Sequence, residues 1–176
     1  MREALDAYTR TMLSFRLGGG GGGYATRPCP PGALAPIVRQ AARTGACVLL
    51  GAGRGEAARE LARTLPPGCE LVVCELHPEQ ARAHGAGLPL LADASAVALA
   101  WLLFSVGLCR GHAFCALNPE IDDALARANF QALQKLHAAF EPMAGQPEAG
   151  QAPDLTVAAI LHPGEPDLAG FLASLP

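Results

Sequence analysis

The sequence predicts an α/β fold: a doubly wound parallel sheet of about five strands with an N-terminal helical arm. Three observations predict it. From residue 46 onward, short apolar runs alternate with helical patterns. About half of the residues (51%) are apolar and only 5% aromatic, which gives an Ala/Leu/Val interior suited to close helix–sheet packing. The 176 residues can bury one full core and carry an arm, but not form two large domains.

Residues 3–16 place Leu5, Tyr8, Met12 and Phe15 on one stripe of an amphipathic helix, which must dock on the main domain or on a partner subunit. Six glycines, Gly18–Gly23, follow without the strand and helix that would shape a phosphate cradle, and read as a hinge. Pro28, Pro30 and Pro31 lead into a helix near Ala33–Arg43. The arm and hinge are thus residues 1–30 and the domain residues 31–176. "ACVLL" reads as a strand, Glu56–Thr64 as a helix with Ala57, Leu61 and Ala62 inward, and "CELVVCEL" as the next strand. Pro78 starts a short helix that Gly85 stops. "LPLLA" is a third strand and 95–107 an apolar helix in which Trp101, Leu102, Leu103 and Phe104 read as core or as a protomer interface. "GHAFCAL" is a fourth strand. Ile121–Phe140 is a long helix with Leu125, Phe130, Leu133, Leu136 and Phe140 as its stripe. A Pro/Gly/Gln linker (141–154), a fifth strand "LTVAAIL" and a short helix complete the chain.

A net charge of −3 offers no basic field for a phosphate backbone, so a nucleic-acid partner is not expected. "ASAVALAWLLFSVGLC" (94–109) is too short to span a bilayer, and "MREALDAYTR" has no apolar signal core, so a soluble, cytoplasmic protein is expected. The six cysteines form no C-x-x-C pair and the five histidines no i, i+4 pair, so free thiols and no metal site are expected. The arm's stripe allows a homodimer.

The site reading starts at "ACVLLGAGRGEAA" (46–58). Gly51, Gly53 and Gly55 form G-x-G-x-G between a strand and a helix, where missing side chains admit a ligand to the helix N-terminus. Glu56 stands where a dinucleotide fingerprint has its last glycine, and its charge disfavours a pyrophosphate there, although Arg54 offsets it in part. A nucleoside without phosphates fits better than a nicotinamide dinucleotide. Glu75 ends the second strand at the spacing at which a carboxylate accepts from ribose hydroxyls; the alternative is an exposed strand-end acid. Asp93 follows the third strand, as an acceptor for an adenine amine or as the cap of the helix after it.

"VLLGAGRGEAA", "ELVVCEL" and "LPLLADAS" resemble the first three motifs of class I S-adenosylmethionine-dependent methyltransferases, over roughly residues 46–118. The resemblance implies a Rossmann-like domain. In it Gly51, Gly53 and Gly55 would face the cofactor's amino-acid moiety, Glu75 its ribose and Asp93 its adenine. After the fourth strand the chain has Asn118-Pro119-Glu120, which lacks the second proline and the aromatic residue of amino-group methyltransferases. Asn118 is therefore either a turn residue or a substrate contact, and no catalytic base is identified. The tail "LTVAAILHPGEPDLAGFLASLP" is similar to the opening of family-2 glycosyltransferase domains. That likeness implies an alternative, a non-catalytic N-terminal accessory domain of a longer glycosyltransferase continuing past Pro176.

Overall fold

In the computed structural model, residues 2–14, 23–109 and 111–139 are described. The chain divides into two units, Met1–Pro142 and Met143–Pro176, and the described residues all lie in the first. The expected fifth strand, the 141–154 linker and Gly18–Gly22 of the hinge lie outside the described residues.

Four strands form one parallel sheet in the order β3-β2-β1-β4: β1 (Ala46–Leu50), β2 (Glu70–Glu75), β3 (Leu90–Ala92) and β4 (Phe114–Leu117). The architecture is the Rossmann-like α/β arrangement that the sequence predicts, with four strands described where about five are expected. The strand that leads into the glycines, β1, is internal and buried along its whole length.

Strand alternation divides the core in two. Val48 and Leu50 of β1, with Val72 and Cys74 of β2, face α5 (Ala96–Ser105) and α6 (Ala124–Ala139) through Leu99, Leu103, Phe130 and Leu133. Cys47 and Leu49, with Leu71 and Val73, face the other way. They pack on α2 (Ala35–Thr44), α3 (Glu56–Thr64) and α4 (Pro78–His84) through Ile37, Ala41, Ala58, Leu61 and Ala81. Both faces of the sheet are covered, which is why its strands are apolar runs rather than alternating ones. Apolar burial of this kind contributes roughly 25 cal/mol per Å² and is what holds the layers together.

Helix α1 (Arg2–Ser14) docks on this domain, along β3, at the sheet edge. The Thr9 hydroxyl donates to the Leu90 carbonyl at 2.9 Å and accepts from the Ala92 N–H at 3.3 Å, so a side chain satisfies edge groups that another strand would otherwise take. Tyr8 is half-buried; the rest of the predicted stripe, Leu5, Met12 and Phe15, lies outside the described side chains.

Several sequence expectations need correction. In α3 the inward residues are Ala57, Ala58 and Leu61, and Ala62 is exposed. Trp101 is 56% exposed, because α5 is apolar all round and its periodicity marks no inner face. Helix α6 starts at Ala124 rather than Ile121, since the Asp123 carboxylate accepts from the Ala126 N–H at 2.8 Å and fixes the first turn there. Leu125 consequently points outward at 72% exposure. No described helix is long and apolar enough to cross a membrane.

Candidate functional site at the carboxyl edge of the sheet

At the end of β1 the chain turns sharply. Gly51 (φ 93°) and Gly53 (φ 56°) adopt left-handed backbone, and Gly55 opens α3. Each of the first two faces a crowded neighbour. A Cβ on Gly51 would come 2.6 Å from Ile121 Cδ1, and one on Gly53 would come 2.4 Å from Glu120 Oε2 and 2.7 Å from Asn118 Nδ2. The space these glycines leave is therefore filled by the chain's own loop after β4.

The elbow's backbone is satisfied the same way. Glu120, fully buried, accepts from the Arg54 N–H through Oε2 and from the Ala57 N–H through Oε1, each at 2.7 Å. A carboxylate thus occupies the N-terminus of α3, where free N–H groups and the helix dipole favour an anion. Asn118, also fully buried, donates to the Gly51 carbonyl at 2.9 Å and accepts from the Glu120 N–H at 2.9 Å. Gln80 donates to the Gly53 carbonyl at 2.7 Å.

The predicted carboxylates converge on this edge. The Glu75 carboxylate accepts from the Ala52 N–H at 2.7 Å and the His77 N–H at 2.8 Å, and the Asp93 N–H donates to the Glu75 carbonyl at 3.1 Å. Glu75 is fully buried rather than exposed. Burial pushes its carboxyl up to about 7, against the pull of the Ala52 and His77 N–H groups and the Tyr24 hydroxyl. Asp93 accepts from the Ser95 N–H at 2.6 Å, while the cap of α5 is Ser95 itself, accepting from the Ala98 N–H at 3.2 Å. Gly51, Gly53, Gly55, Glu75 and Asp93 therefore lie along one edge, with Asn118 braced beneath the elbow.

Sequence reasoning missed three participants. Tyr24 sends its hydroxyl to Glu75 Oε2 at 2.8 Å while accepting from the Gly53 N–H at 3.0 Å. Glu120 is the second. The third is His77, two residues after Glu75, whose ring meets Tyr24 edge-on with centroids 5.1 Å apart and lies 6.1 Å from Phe130. Its Nε2 is buried without a hydrogen-bond partner, and burial lowers its pKa against the pull of Asp123. The adjacency of His77 to a strand-end acid was the available signal.

Next to Glu75, a cleft of about 310 Å³ is lined by Leu76, His77, Ala94 and Ala96, with Asn129 and Ala132 of α6. That is the lower end of the roughly 300–1,000 Å³ usual for small-molecule sites. It opens beyond the carboxyl ends of β2 and β3, where α/β sheets bind ligands. A larger cleft of about 740 Å³, between α2 and α3, is mainly apolar and includes none of the predicted site residues. Among the described residues no cluster of His, Cys, Asp or Glu could hold a metal ion. Compared with family models, curated proteins and solved structures, the chain matches none of them.

Proposed function

We propose that this domain binds an adenine nucleoside of the S-adenosylmethionine kind, as a methyltransferase-like module in an accessory rather than a catalytic role. One observation carries the reading: the Glu75 carboxylate is anchored on the elbow N–H of Ala52, and the cleft begins at the next two residues, Leu76 and His77. A carboxylate that accepts from a sugar hydroxyl once the Tyr24 hydroxyl leaves it thus adjoins a slot walled by alanine, leucine, an imidazole and the Asn129 amide, which suits a flat base. The partnerless His77 Nε2 is a polar group that a base nitrogen or amine would satisfy. Asp93, at the end of the neighbouring strand, is the acceptor for an exocyclic amine.

The accessory role rests on the loop after β4. Asn118 and Glu120 face inward and brace the elbow, so neither is presented to an acceptor substrate. When bound, the cofactor would supply a sulfonium methyl; this chain's residues account for holding its nucleoside. Service to a family-2 glycosyltransferase is the wider proposal that the tail's likeness adds.

The test is calorimetric titration of the full chain with S-adenosylhomocysteine and, separately, with NAD. Heat with the first and little with the second is expected. Preference for NAD rejects the reading.

A further inference from the structure

The chain contains two tyrosines, Tyr8 and Tyr24, both within the N-terminal arm. Each hydroxyl donates to one of the two edge carboxylates: Tyr24 to Glu75 at 2.8 Å, Tyr8 to Asp93. Their placement is complementary to the edge. The Tyr24 hydroxyl both donates to a carboxylate and accepts from the Gly53 N–H, as a sugar hydroxyl can do. The Tyr8 hydroxyl donates to the acid expected to take an adenine amine, which is likewise a donor.

We propose that the arm is a built-in occupant of the nucleoside site, with Tyr24 standing in for a ribose hydroxyl and Tyr8 for the exocyclic amine, so that the arm's release gates ligand binding. The inference rests on the nucleoside reading above and adds to it a regulatory element that the ligand must displace.

The arm is held at two places: α1 by Thr9 along β3, and the Tyr24 region, among the described residues, by a single antiparallel bridge, Thr26 to Ile121. Two backbone hydrogen bonds flank the bridge, from the Arg27 N–H to the Glu120 carbonyl at 2.8 Å and from the Asp122 N–H to the Ala25 carbonyl at 2.9 Å. The Arg27–Asp122 ion pair is exposed and 3.7 Å long, which adds little. This is a short strap rather than a full strand. Its arm side is exposed at Ala25 and Arg27 while its partners Glu120 and Ile121 and the Tyr24 ring are buried, so the ligand's binding must offset the cost of opening it.

The experiment uses the full chain and adenosine, with two readouts. Calorimetry compares wild type with Tyr24→Phe, which removes only the hydroxyl, and with Tyr8→Ala/Tyr24→Ala, which also removes the rings. Tyrosine nitration of the wild type, mapped by mass spectrometry with and without saturating adenosine, reports release of the arm and depends on no variant folding. About tenfold tighter binding by Tyr24→Phe is expected, together with Tyr24 protected in the free protein and nitrated once adenosine is bound. If adenosine binds wild type and Tyr24→Phe equally and Tyr24 stays protected, the gating inference falls and the nucleoside reading stands. If neither wild type nor any variant that melts cooperatively binds adenosine, the nucleoside reading falls and takes this inference with it.

Discussion

Glu120 caps the helix that begins at Glu56 through a 2.7 Å hydrogen bond from the Ala57 N–H, across 63 residues of sequence. The same carboxylate accepts from Arg54, so one acid closes two open donors at the elbow. Replacing it with alanine leaves the buried Ala57 N–H and the part-buried Arg54 N–H without this acceptor, and a cavity beside the glycines. Glu120→Ala is expected to lose about 2–4 kcal/mol of stability in urea unfolding, because each unsatisfied donor costs about 1–3 kcal/mol. Glu120→Gln keeps one acceptor and should lose less. A loss under about 0.5 kcal/mol for the alanine variant, the range of ordinary surface changes, would mean that this cap is not a structural anchor.

Gly53 supplies a sharper test, since two independent effects forbid a side chain there. Its φ of 56° disfavours any L-residue, and the added Cβ would lie 2.4 Å from Glu120 Oε2. Gly68 also has positive φ (86°) but open space around it. Gly68→Ala should therefore cost about 1 kcal/mol from backbone strain alone, and Gly53→Ala more than about 2 kcal/mol. Equal losses at both positions would show that crowding by the loop after β4 has no energetic weight.

The buried Glu75 makes stability depend on pH in an uncommon direction for an acid. Its folded carboxyl titrates at about 7, above the ordinary 4.5, with burial as the main cause. Between these values the folded chain holds more protons than the unfolded one, so this group's contribution is greatest below about 4.5 and is lost as pH rises through about 7. The size is on the order of 3 kcal/mol. His77 and His137, whose pKa values are lowered by burial, act oppositely and lose stability as pH falls through the histidine range. The difference between wild type and Glu75→Gln isolates the acid. That difference, from urea midpoints, should shift against wild type between pH 5 and pH 8, and a flat difference would show that Glu75 stays ionised.

How much of this was legible in the sequence depends on the range of the forces involved. Strand, elbow and helix at 46–64 were readable because glycine spacing and an apolar run are local signals. Glu75 and Asp93 were readable because parallel strands bring their carboxyl ends to one edge. What the elbow faces was not readable. Tyr24 and Glu120 reach it only after the arm and the loop after β4 have docked, and no local pattern encodes that docking. The glycines thus read as room for a ligand, whereas the structure fills that room with Ile121, Glu120 and Asn118. Leu125 failed for a different reason: Asp123 starts the helix late and turns that residue outward.

The thiols allow a final check on the layered core. Cys47 and Cys74 lie on opposite faces of the sheet, are almost wholly buried and hold their protons strongly. Burial pushes Cys47 up to about 12 and Cys74 well above the ordinary thiol value. Cys29 and Cys69 are only half-buried, and burial raises both thiols, with nearby Glu120, Glu56 and Glu60 adding to the rise at Cys29. Since the thiolate is the reactive form, all four should react slowly, but in two classes. Cys29 and Cys69 should be labelled by a disulfide reagent in the native state, as mapped by mass spectrometry. Cys47 and Cys74 should be labelled only at the rate at which the domain unfolds, rising together as urea is added. Labelling of Cys47 at the rate of Cys29 in buffer would mean that the face packed by α2 and α3 opens separately, and that the two halves of the core are not one cooperative unit.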